Sequence, residues 1–316
     1  MPRIGPVRCV NWHGSARLTV ALTLTAGATQ PKGKRVRAVI AVAGMGSRFF
    51  PIGKTINKCM LPILNQPVVA YAVADCVAAG AREIAIVTAP GEIGRQVRHY
   101  FTEDHDLKDY FTARGWQDKY RPLAELHSQA DFTFIEQPRD DRYGTALPAM
   151  VAADFIAGDD FLLVAGDDLL LREDGGSDLA DLAAARAAAG VPAALAAATV
   201  PGAEAHRYGI LAPRVADGHQ LLDQLLEKPT TYGDLTAYIN ISRTLLPADA
   251  MAYFQKLTPA PNGEYQATDA VIAFARDNDV LIHPVTGEYH DCGNPAGWLA
   301  ANNAAAQAIV ASGPRA

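Results

Sequence analysis

Residues 36–48 read VRAVIAVAGMGSR, an apolar run that is broken only by Arg37 and passes into a glycine-rich loop. An apolar run of this length is typical of a strand that is buried on both faces of a parallel sheet. Similar runs recur along the chain, at 83–88, 132–136, 161–165 and 193–200. Because segments of helical composition separate these runs, the sequence predicts an α/β fold with a doubly wound, mostly parallel sheet.

The helices and the second half of the chain can be placed from the same pattern. Helices are predicted over 68–79 and 145–157, because each segment is followed by a glycine that can end a helix. Beyond Gly209 the pattern loosens into shorter strands at 221–226 and 235–241, followed by two or three helices. We therefore expect a Rossmann-like sheet with a C-terminal extension that covers the substrate site.

The composition is that of a globular protein, with 316 residues of which 49% are hydrophobic and 20% are charged. Lys and Arg total 28 against 34 Asp and Glu, so no basic surface is expected for a nucleic-acid polymer or a membrane. The chain also lacks the run of ~18 apolar residues that a transmembrane helix needs. The cysteines are Cys9, Cys59, Cys76 and Cys292. They form no C-x-x-C pair, so we expect neither a zinc site nor disulfides, and a cytoplasmic location.

Ligands of open α/β sheets bind beyond the carboxyl ends of the strands, so the loops after the strands are the places to look for chemistry. The first such loop is 44–48, whose glycines allow backbone N–H groups to face a phosphate. It is not a dinucleotide fingerprint, because the third glycine would fall at Phe49, and it is not a Walker loop, because the leading glycine would fall at Arg48. The loop and the cations Arg48, Lys54 and Lys58 suit a triphosphate. A solvated loop with incidental charge is the alternative.

Carboxylates follow another buried strand, in Gly166-Asp167-Asp168. At the end of a strand they are well placed to hold Mg²⁺, although a polar turn would have the same composition. Further along, Glu227-Lys228 could bind a sugar hydroxyl and a phosphate, or simply end a strand. The last polar segment is 290–294, in which Cys292 and His290 could form a nucleophilic pair. No neighbouring residue would orient the histidine as a base, so a structural turn is the favoured interpretation.

Together these segments resemble the nucleotidyltransferases that make sugar nucleotides, from about Val36 to Ala305. The most specific stretch is 43–62, in which a glycine loop, Arg48, a proline, two spaced lysines and Met-Leu-Pro match without a gap. The later stretches 263–270 and 290–294 resemble the uridylyl branch, the bacterial UTP-glucose-1-phosphate uridylyltransferases. The resemblance implies Mg²⁺-dependent transfer of a uridylyl group from UTP to glucose 1-phosphate by a dimer or tetramer.

The resemblance also implies roles for individual residues. Those implied to bind the nucleotide are Ala43, Gly44, Gly46, Ser47, Gln137 and Gly144. Arg48 and Lys58 would act on the reacting phosphates. Asp167 and Asp291 would share the metal ion. Gly209, Glu227 and Lys228 would hold the sugar 1-phosphate. The chain departs from the family pattern at Cys59, in the link 138–143 and at Ser242, which stands where a glycine is expected.

Other functions remain open at this point. The same chemistry with dTTP or with another sugar 1-phosphate would need the same residues. A non-catalytic relative that binds a sugar nucleotide and regulates a partner would have no chemical reason to keep all of Arg48, Lys58, Asp167 and Asp291. A dehydrogenase is disfavoured by the missing third glycine.

The N-terminal segment carries none of these motifs. Three arginines precede the mostly apolar stretch 18–26, which loosely imitates a secretory signal. An enzyme that uses a nucleoside triphosphate would find no substrate outside the cell. We therefore predict a disordered extension over 1–34 and one nucleotidyltransferase domain over 35–316.

Overall fold

The computed structural model describes residues 35–312 except Lys228. Only the backbone is described for residues 207, 227, 311 and 312. The extension predicted over 1–34 lies outside the described residues. The strands are β1 (Val36–Val42), β2 (Pro62–Ile63), β3 (Gln66–Pro67), β4 (Glu83–Thr88), β5 (Asp131–Glu136), β6 (Asp160–Ala165), β7 (Asp168–Leu171), β8 (Ala193–Pro201), β9 (Gly209–Ala216), β10 (His219–Glu227), β11 (Thr236–Leu246), β12 (Val280–Pro284) and β13 (Glu288–Asp291). The helices are α1 (Val68–Ala78), α2 (Glu92–Phe101), α3 (His105–Ala113), α4 (Gln117–Ser128), α5 (Leu147–Val151), α6 (Ala153–Ile156), α7 (Asp178–Ala189), α8 (Met251–Gln255), α9 (Ala267–Ala275) and α10 (Pro295–Ser312).

The N-terminal half of the sheet is built as the apolar runs predict. β5, β4, β1 and β6 lie side by side in that order, and every neighbouring pair is parallel. β4 covers the predicted residues, and the other three differ from their predictions by one residue at one end. The carboxyl ends of these four strands therefore meet at one edge of the sheet, where the loops after Val42, Glu136 and Ala165 begin.

The C-terminal half is mixed, in contrast to the mostly parallel sheet that the sequence predicts. β11 runs antiparallel between β6 and β8, β12 is parallel to β8, and β10 and β9 complete the sheet as an antiparallel pair. The turn between β9 and β10 is Asp217-Gly218, and both residues have positive φ. An Asp-Gly turn of this kind joins two antiparallel strands directly, without the helix that a parallel connection requires.

Helices cover both faces of the sheet, as strands that are apolar on both sides require. On one face Ala38, Ile40 and Val42 pack in a core with α1 and α7. On the other face Val39 packs in a second core with α5, α6, α8 and α9. The helix predicted over 145–157 is observed as α5 and α6, which meet at Ala152. None of the described helices combines the length and the apolar character needed to cross a membrane.

A two-stranded ribbon beside the main sheet carries the C-terminal polar segment to the carboxyl end of β6. β7 pairs antiparallel with β13, so that Asp291 lies opposite Asp168. A third apolar cluster, which includes Leu169, Cys292 and Ala301, packs this ribbon against α10. The ribbon thereby brings Asp291 close to Asp168 at the carboxyl end of β6, although the two residues are far apart in the chain.

Ser242 interrupts β11 at a conformation that favours glycine. Its φ is 53°, and the pairing of β11 with β8 shifts register between Asn240 and Thr244. The side chain of Ser242 is exposed, so packing contacts do not offset the free-energy cost of the left-handed conformation. For a residue with a Cβ this conformation is less stable by about 1 to 2 kcal/mol, which explains why a glycine is the expected residue.

We expect Ser242→Gly to raise the free energy of unfolding by up to about 1 kcal/mol, because the relief of strain exceeds the extra entropy of the unfolded glycine. Urea denaturation of the purified protein measures the change. Ser128→Gly, at an exposed helical position, is the matched control and should lower the free energy of unfolding. Equal losses in both variants would contradict the strain at Ser242.

Candidate active site

The glycine loop lies directly over Lys58. The loop follows β1, and Lys58 begins a short 3₁₀ turn, Lys58–Met60. The buried Asn57 fixes this turn to the end of β1: its Nδ2 donates to the Val42 carbonyl at 3.0 Å, and its Oδ1 accepts from the Cys59 amide at 2.9 Å. A Cβ at Gly44 would lie only 3.3 Å from Lys58 Cε. The lysine side chain therefore runs under the loop.

Lys58 is paired with the first aspartate after β6. Its Nζ lies 2.5 Å from Asp167 Oδ2, and the two side chains are only 19% and 16% exposed. Burial disfavours the charged ammonium group and by itself would lower the pKa of Lys58. The attraction of Asp167, with a smaller contribution from Cys59, outweighs the effect of burial, so that the pKa of Lys58 is raised. Lys58 is therefore a cation held inside the site.

The backbone around Asp167 is held at both ends. The Gly166 amide donates to the Ala41 carbonyl of β1 at 3.0 Å, and the Asp167 carbonyl accepts from the Cys292 amide at 3.0 Å. The second bond links the turn after β6 to the turn after β13. The position of Asp167 thus depends on the β7–β13 ribbon.

Asp291 lies next to Asp167. Its Oδ1 accepts from the Gly293 amide at 2.8 Å, and its Oδ2 accepts from Asn294 Nδ2 at 3.0 Å. A Cβ at Gly293 would lie 2.5 Å from Asp167 Oδ2 and 2.9 Å from Asp291 Oδ1. The two oxygens are therefore no farther apart than the sum of these distances, and only a glycine leaves room for both carboxylates.

Arg48 completes the cluster from the glycine loop. Its Nη1 lies 3.7 Å from Asp291 Oδ2, and its side chain is 66% exposed. Arg48, Lys58, Asp167 and Asp291, four residues that the sequence selects, thus converge at the carboxyl ends of β1 and β6. The arrangement alternates two cations and two carboxylates beside a loop that can bind phosphate.

The neighbouring aspartate, Asp168, is in a different environment. Its side chain is buried, and its Oδ1 accepts from the Tyr289 hydroxyl at 3.1 Å. Burial, and then the charge of Asp167, raise the pKa of Asp168 to about 8, while Arg243 partly opposes the shift. Asp168 is thus already engaged by the ribbon, whereas Asp167 and Asp291 form ion pairs with Lys58 and Arg48.

A cysteine nucleophile is not supported by the geometry. Cys292 is fully buried, and burial together with Asp168 and Asp167 raises its pKa to about 12. A thiol in this state is protonated near neutral pH and is a weak nucleophile. Burial also lowers the pKa of His290, whose Nε2 lies 3.4 Å from Glu288 Oε1. The segment 290–294 therefore supplies Asp291 and a turn, not a nucleophilic pair.

Gln137 and Gly144 lie at the two ends of one loop after β5. The Gln137 amide donates to the Thr88 carbonyl at 2.9 Å. Gly144 has φ 127° and lies so close to the Tyr265 backbone that a Cβ would collide with it. Tyr265 in turn donates its amide to the Tyr143 carbonyl and accepts from the Ala146 amide, at 2.8 and 2.9 Å. The segment 263–266 therefore shapes this loop, which explains why Gly144 must be a glycine.

The residues predicted to hold the sugar phosphate are described only in part. Gly209 begins β9 and lies opposite Glu227 at the end of β10. The side chain of Glu227 and the whole of Lys228 lie outside the described residues. The structure therefore brings Gly209 and Glu227 together, and the contacts predicted for Glu227 and Lys228 stay predictions.

Three residues of the site region escaped the sequence analysis: Asn57, Tyr289 and Arg243. Asn57 and Tyr289 give no local signal, since their bonds run to distant elements. Arg243 lies outside the strand predicted at 235–241, whereas β11 extends to 246 and buries it.

Comparison with known proteins identifies the family. The sequence profile described as nucleotidyl transferase matches residues 37–308, nearly all of the described chain. The chain belongs to the nucleotidyl transferase family. Individual members share a moderate fraction of identical residues with the chain, and the alignments cover most of its length.

Two curated relatives carry the name UTP–glucose-1-phosphate uridylyltransferase. The relative from Pseudomonas aeruginosa is 28% identical over 268 residues, which cover 84% of this chain and 94% of the relative. The relative from Bacillus subtilis is 28% identical over 269 residues, covering 84% of this chain and 89% of the relative. These family members extend over the same length as the described domain.

Two solved structures of UDP-glucose pyrophosphorylase share the fold. The complex with UDP-glucose superposes with a TM-score of 0.73 at 25% identity and covers 87% of this chain and 99% of its own. The apo structure gives a TM-score of 0.76 at 25% identity, with 86% and 98% covered. The chain thus shares its overall fold with these two structures.

Proposed function

We propose that the chain transfers the uridylyl group of UTP to glucose 1-phosphate with Mg²⁺, giving UDP-glucose and pyrophosphate. The observation that carries this proposal is the convergence of Arg48, Lys58, Asp167 and Asp291 beside the glycine loop. The names of the curated relatives and of the solved structures support the choice of the two substrates.

The reaction is an in-line displacement at the α-phosphorus of UTP. A phosphate oxygen of glucose 1-phosphate forms the new bond to phosphorus, and the bond from the α-phosphorus to the bridging oxygen breaks to release pyrophosphate. The attacking phosphate is already ionised near neutral pH, so no protein nucleophile is needed. Catalysis then consists of positioning two anions that repel each other and offsetting the charge that develops.

The two cations are placed for different parts of this task. Lys58 Nζ lies inside the site next to Gly44, where the loop amides would hold the nucleotide phosphates. Arg48 is exposed and contacts the cluster through a long ion pair with Asp291, so it can turn towards an incoming triphosphate. We assign Lys58 to the reacting phosphate and Arg48 to the leaving pyrophosphate.

The carboxylates fit a magnesium ion. Mg²⁺ prefers oxygen ligands and takes one or two protein carboxylates, keeping its other positions for phosphate and water. Asp167 and Asp291, whose carboxylates both lie against Gly293, would be the protein ligands. A bound ion would offset phosphate charge, while Gly293 and Asn294 orient the Asp291 carboxylate.

Base and sugar are assigned to the remaining residues. Gln137 and Gly144, at the ends of the loop after β5, would contact the base edge. Gly209, Glu227 and Lys228 would contact the sugar 1-phosphate. The link between Gln137 and Gly144 is held by an ion pair of Arg142 with Asp140, 2.6 Å between Nη2 and Oδ2. Preference for dTTP or for another sugar phosphate is the competing proposal. We also propose that the enzyme works in the cytoplasm as a homo-oligomer, a dimer or a tetramer.

A pyrophosphate-release assay over a grid of nucleoside triphosphates and sugar 1-phosphates tests the proposal. We expect release in the presence of Mg²⁺ only when UTP and glucose 1-phosphate are both supplied. Asp167→Asn is the control for contaminating enzymes. Higher activity with dTTP or another sugar would select the competing proposal. No release with any pair, combined with UDP-glucose binding by calorimetry, would instead indicate a non-catalytic relative.

A further inference from the structure

Arg243 is a charged residue that the reaction described above does not use. It lies within β11, its side chain is 0% exposed, and it is the largest fully buried side chain among the described residues. Arginine is rarely buried to this extent, because removing its charge from water costs several kcal/mol. Such a residue requires partners that account for its position.

The guanidinium group of Arg243 joins three elements. Its Nη2 donates to Asp75 Oδ2 of α1 at 3.0 Å and to the Asp168 carbonyl of β7 at 3.2 Å. Asp75 Oδ1 also accepts from Ser177 Oγ at 3.3 Å, and Ser177 caps α7. Nε and Nη1 of Arg243 have no hydrogen-bond partner among the described residues. The bond to the Asp168 carbonyl connects this buried ion pair to the turn after β6.

The bond to the Asp168 carbonyl completes a set of three that hold the turn after β6. Gly166 is bonded to Ala41 and Asp167 to Cys292, and in both bonds the two atoms belong to the backbone. The third bond is the one from the side chain of Arg243. Because Asp167 lies between the first and third of these points, the three bonds together restrict the rotation of its backbone.

We propose that Arg243 is a positioning residue that holds the turn 166–168 so that Asp167 faces Asp291 and Lys58. This inference rests on the proposed function, because it assigns Arg243 to the metal site of that reaction. The competing explanation is a structural ion pair with Asp75 that only fastens α1 to the sheet. The two explanations differ in what should happen when Asp75 alone is changed.

Two variants of the full chain separate the explanations. Arg243→Met keeps an unbranched stem in place of the first part of the arginine side chain and removes every donor. Asp75→Asn removes the ion pair and leaves the bond to the Asp168 carbonyl. Binding of Mn²⁺ without nucleotide, measured by electron paramagnetic resonance, reports the metal site. We expect Arg243→Met to weaken Mn²⁺ binding by about 10- to 100-fold, the usual effect of losing a residue that supports a ligand, and Asp75→Asn to change it less than about threefold.

Hydrogen exchange provides a readout that needs neither metal nor substrate. The Cys292 amide is bonded to the Asp167 carbonyl, so its exchange rate reports the turn. Arg243→Met should speed exchange at Cys292 by at least about tenfold relative to Ile86 in the middle of the sheet, and Asp75→Asn should not. If the wild-type chain neither binds Mn²⁺ nor releases pyrophosphate, the proposed function fails, and the exchange rate decides on Arg243 alone.

Two results would overturn the positioning role. One is Cys292 exchange and Mn²⁺ binding that are unchanged in Arg243→Met. The other is a parallel loss of both in Asp75→Asn. If Arg243→Met does not fold, the double variant Asp75→Asn/Arg243→Met, which removes both buried charges together, takes its place with the same expected results. Arg243→Lys, which keeps the charge with a shorter donor, should restore part of the protection of Cys292.

Discussion

Asp167→Asn and Asp291→Asn are each expected to lower turnover by about 100- to 1000-fold in a protein that still folds. The neutral amide keeps the shape of the carboxylate and removes its charge. The loss of one group that stabilises the transition state in a site of this kind costs about 2.7 to 4 kcal/mol. Steady-state pyrophosphate release measures turnover, and thermal unfolding checks that each variant is folded.

The double variant distinguishes one shared site from two separate roles. The two carboxylates both approach Gly293, so they are expected to act on the same ion. Residues that act as a unit are strongly non-additive, and the double variant should be scarcely slower than either single one. Raised Mg²⁺ or Mn²⁺ should restore part of the activity of either single variant. Losses that multiply in the double variant would contradict a shared ion.

Asp168→Asn is the matched control for this experiment. The side-chain amide oxygen of the substituted residue can still accept from the Tyr289 hydroxyl, so the ribbon should remain in place. We expect activity within about tenfold of the wild type. If Asp168→Asn is the inactive variant while Asp291→Asn mainly lowers the unfolding temperature, then Asp168 is the metal ligand and the site must be reassigned.

The sequence predicted the parallel half of the sheet well, for a physical reason. Strands buried on both faces are largely apolar, and the charged residues of β1, β4 and β6 stand at or next to the start of each strand, at Arg37, Glu83 and Asp160. The mixed half was not predicted because periodicity identifies a strand but not its neighbour. The short ribbons were missed for a related reason: β7 and β13 have four residues each, too few for a period to be recognised.

The candidate site was found largely through the family resemblance. Periodicity places Arg48 and Asp167 at the ends of strands, and the sheet then brings those ends to one edge. Periodicity does not place Asp291 at this edge of the sheet. That approach depends on the register of β7 with β13, which sets Asp291 opposite Asp168. Arg243 was missed because the strand predicted at 235–241 ends before it, whereas β11 extends to 246.

Lys58→Ala is expected to lower turnover by about 2 to 4 kcal/mol of transition-state stabilisation, which is roughly 30- to 1000-fold. Lys54→Ala is the matched control, since Lys54 belongs to the same segment but is exposed. It should lower turnover by less than about threefold. Equal and small losses in the two variants would show that both lysines are surface charges.

The contact between Lys58 and Asp167 leads to a second expectation, opposite in sign to the first. In the free protein the Lys58 ammonium group occupies one side of the Asp167 carboxylate, at 2.5 Å. A metal ion that binds Asp167 must compete with this cation. Lys58→Ala should therefore bind Mn²⁺ in the absence of nucleotide at least as tightly as the wild type, although it has lost most of its activity. Asp167→Asn should lose both. Weaker Mn²⁺ binding in Lys58→Ala would mean that Lys58 maintains the shape of the site, and would remove its assignment to the reacting phosphate.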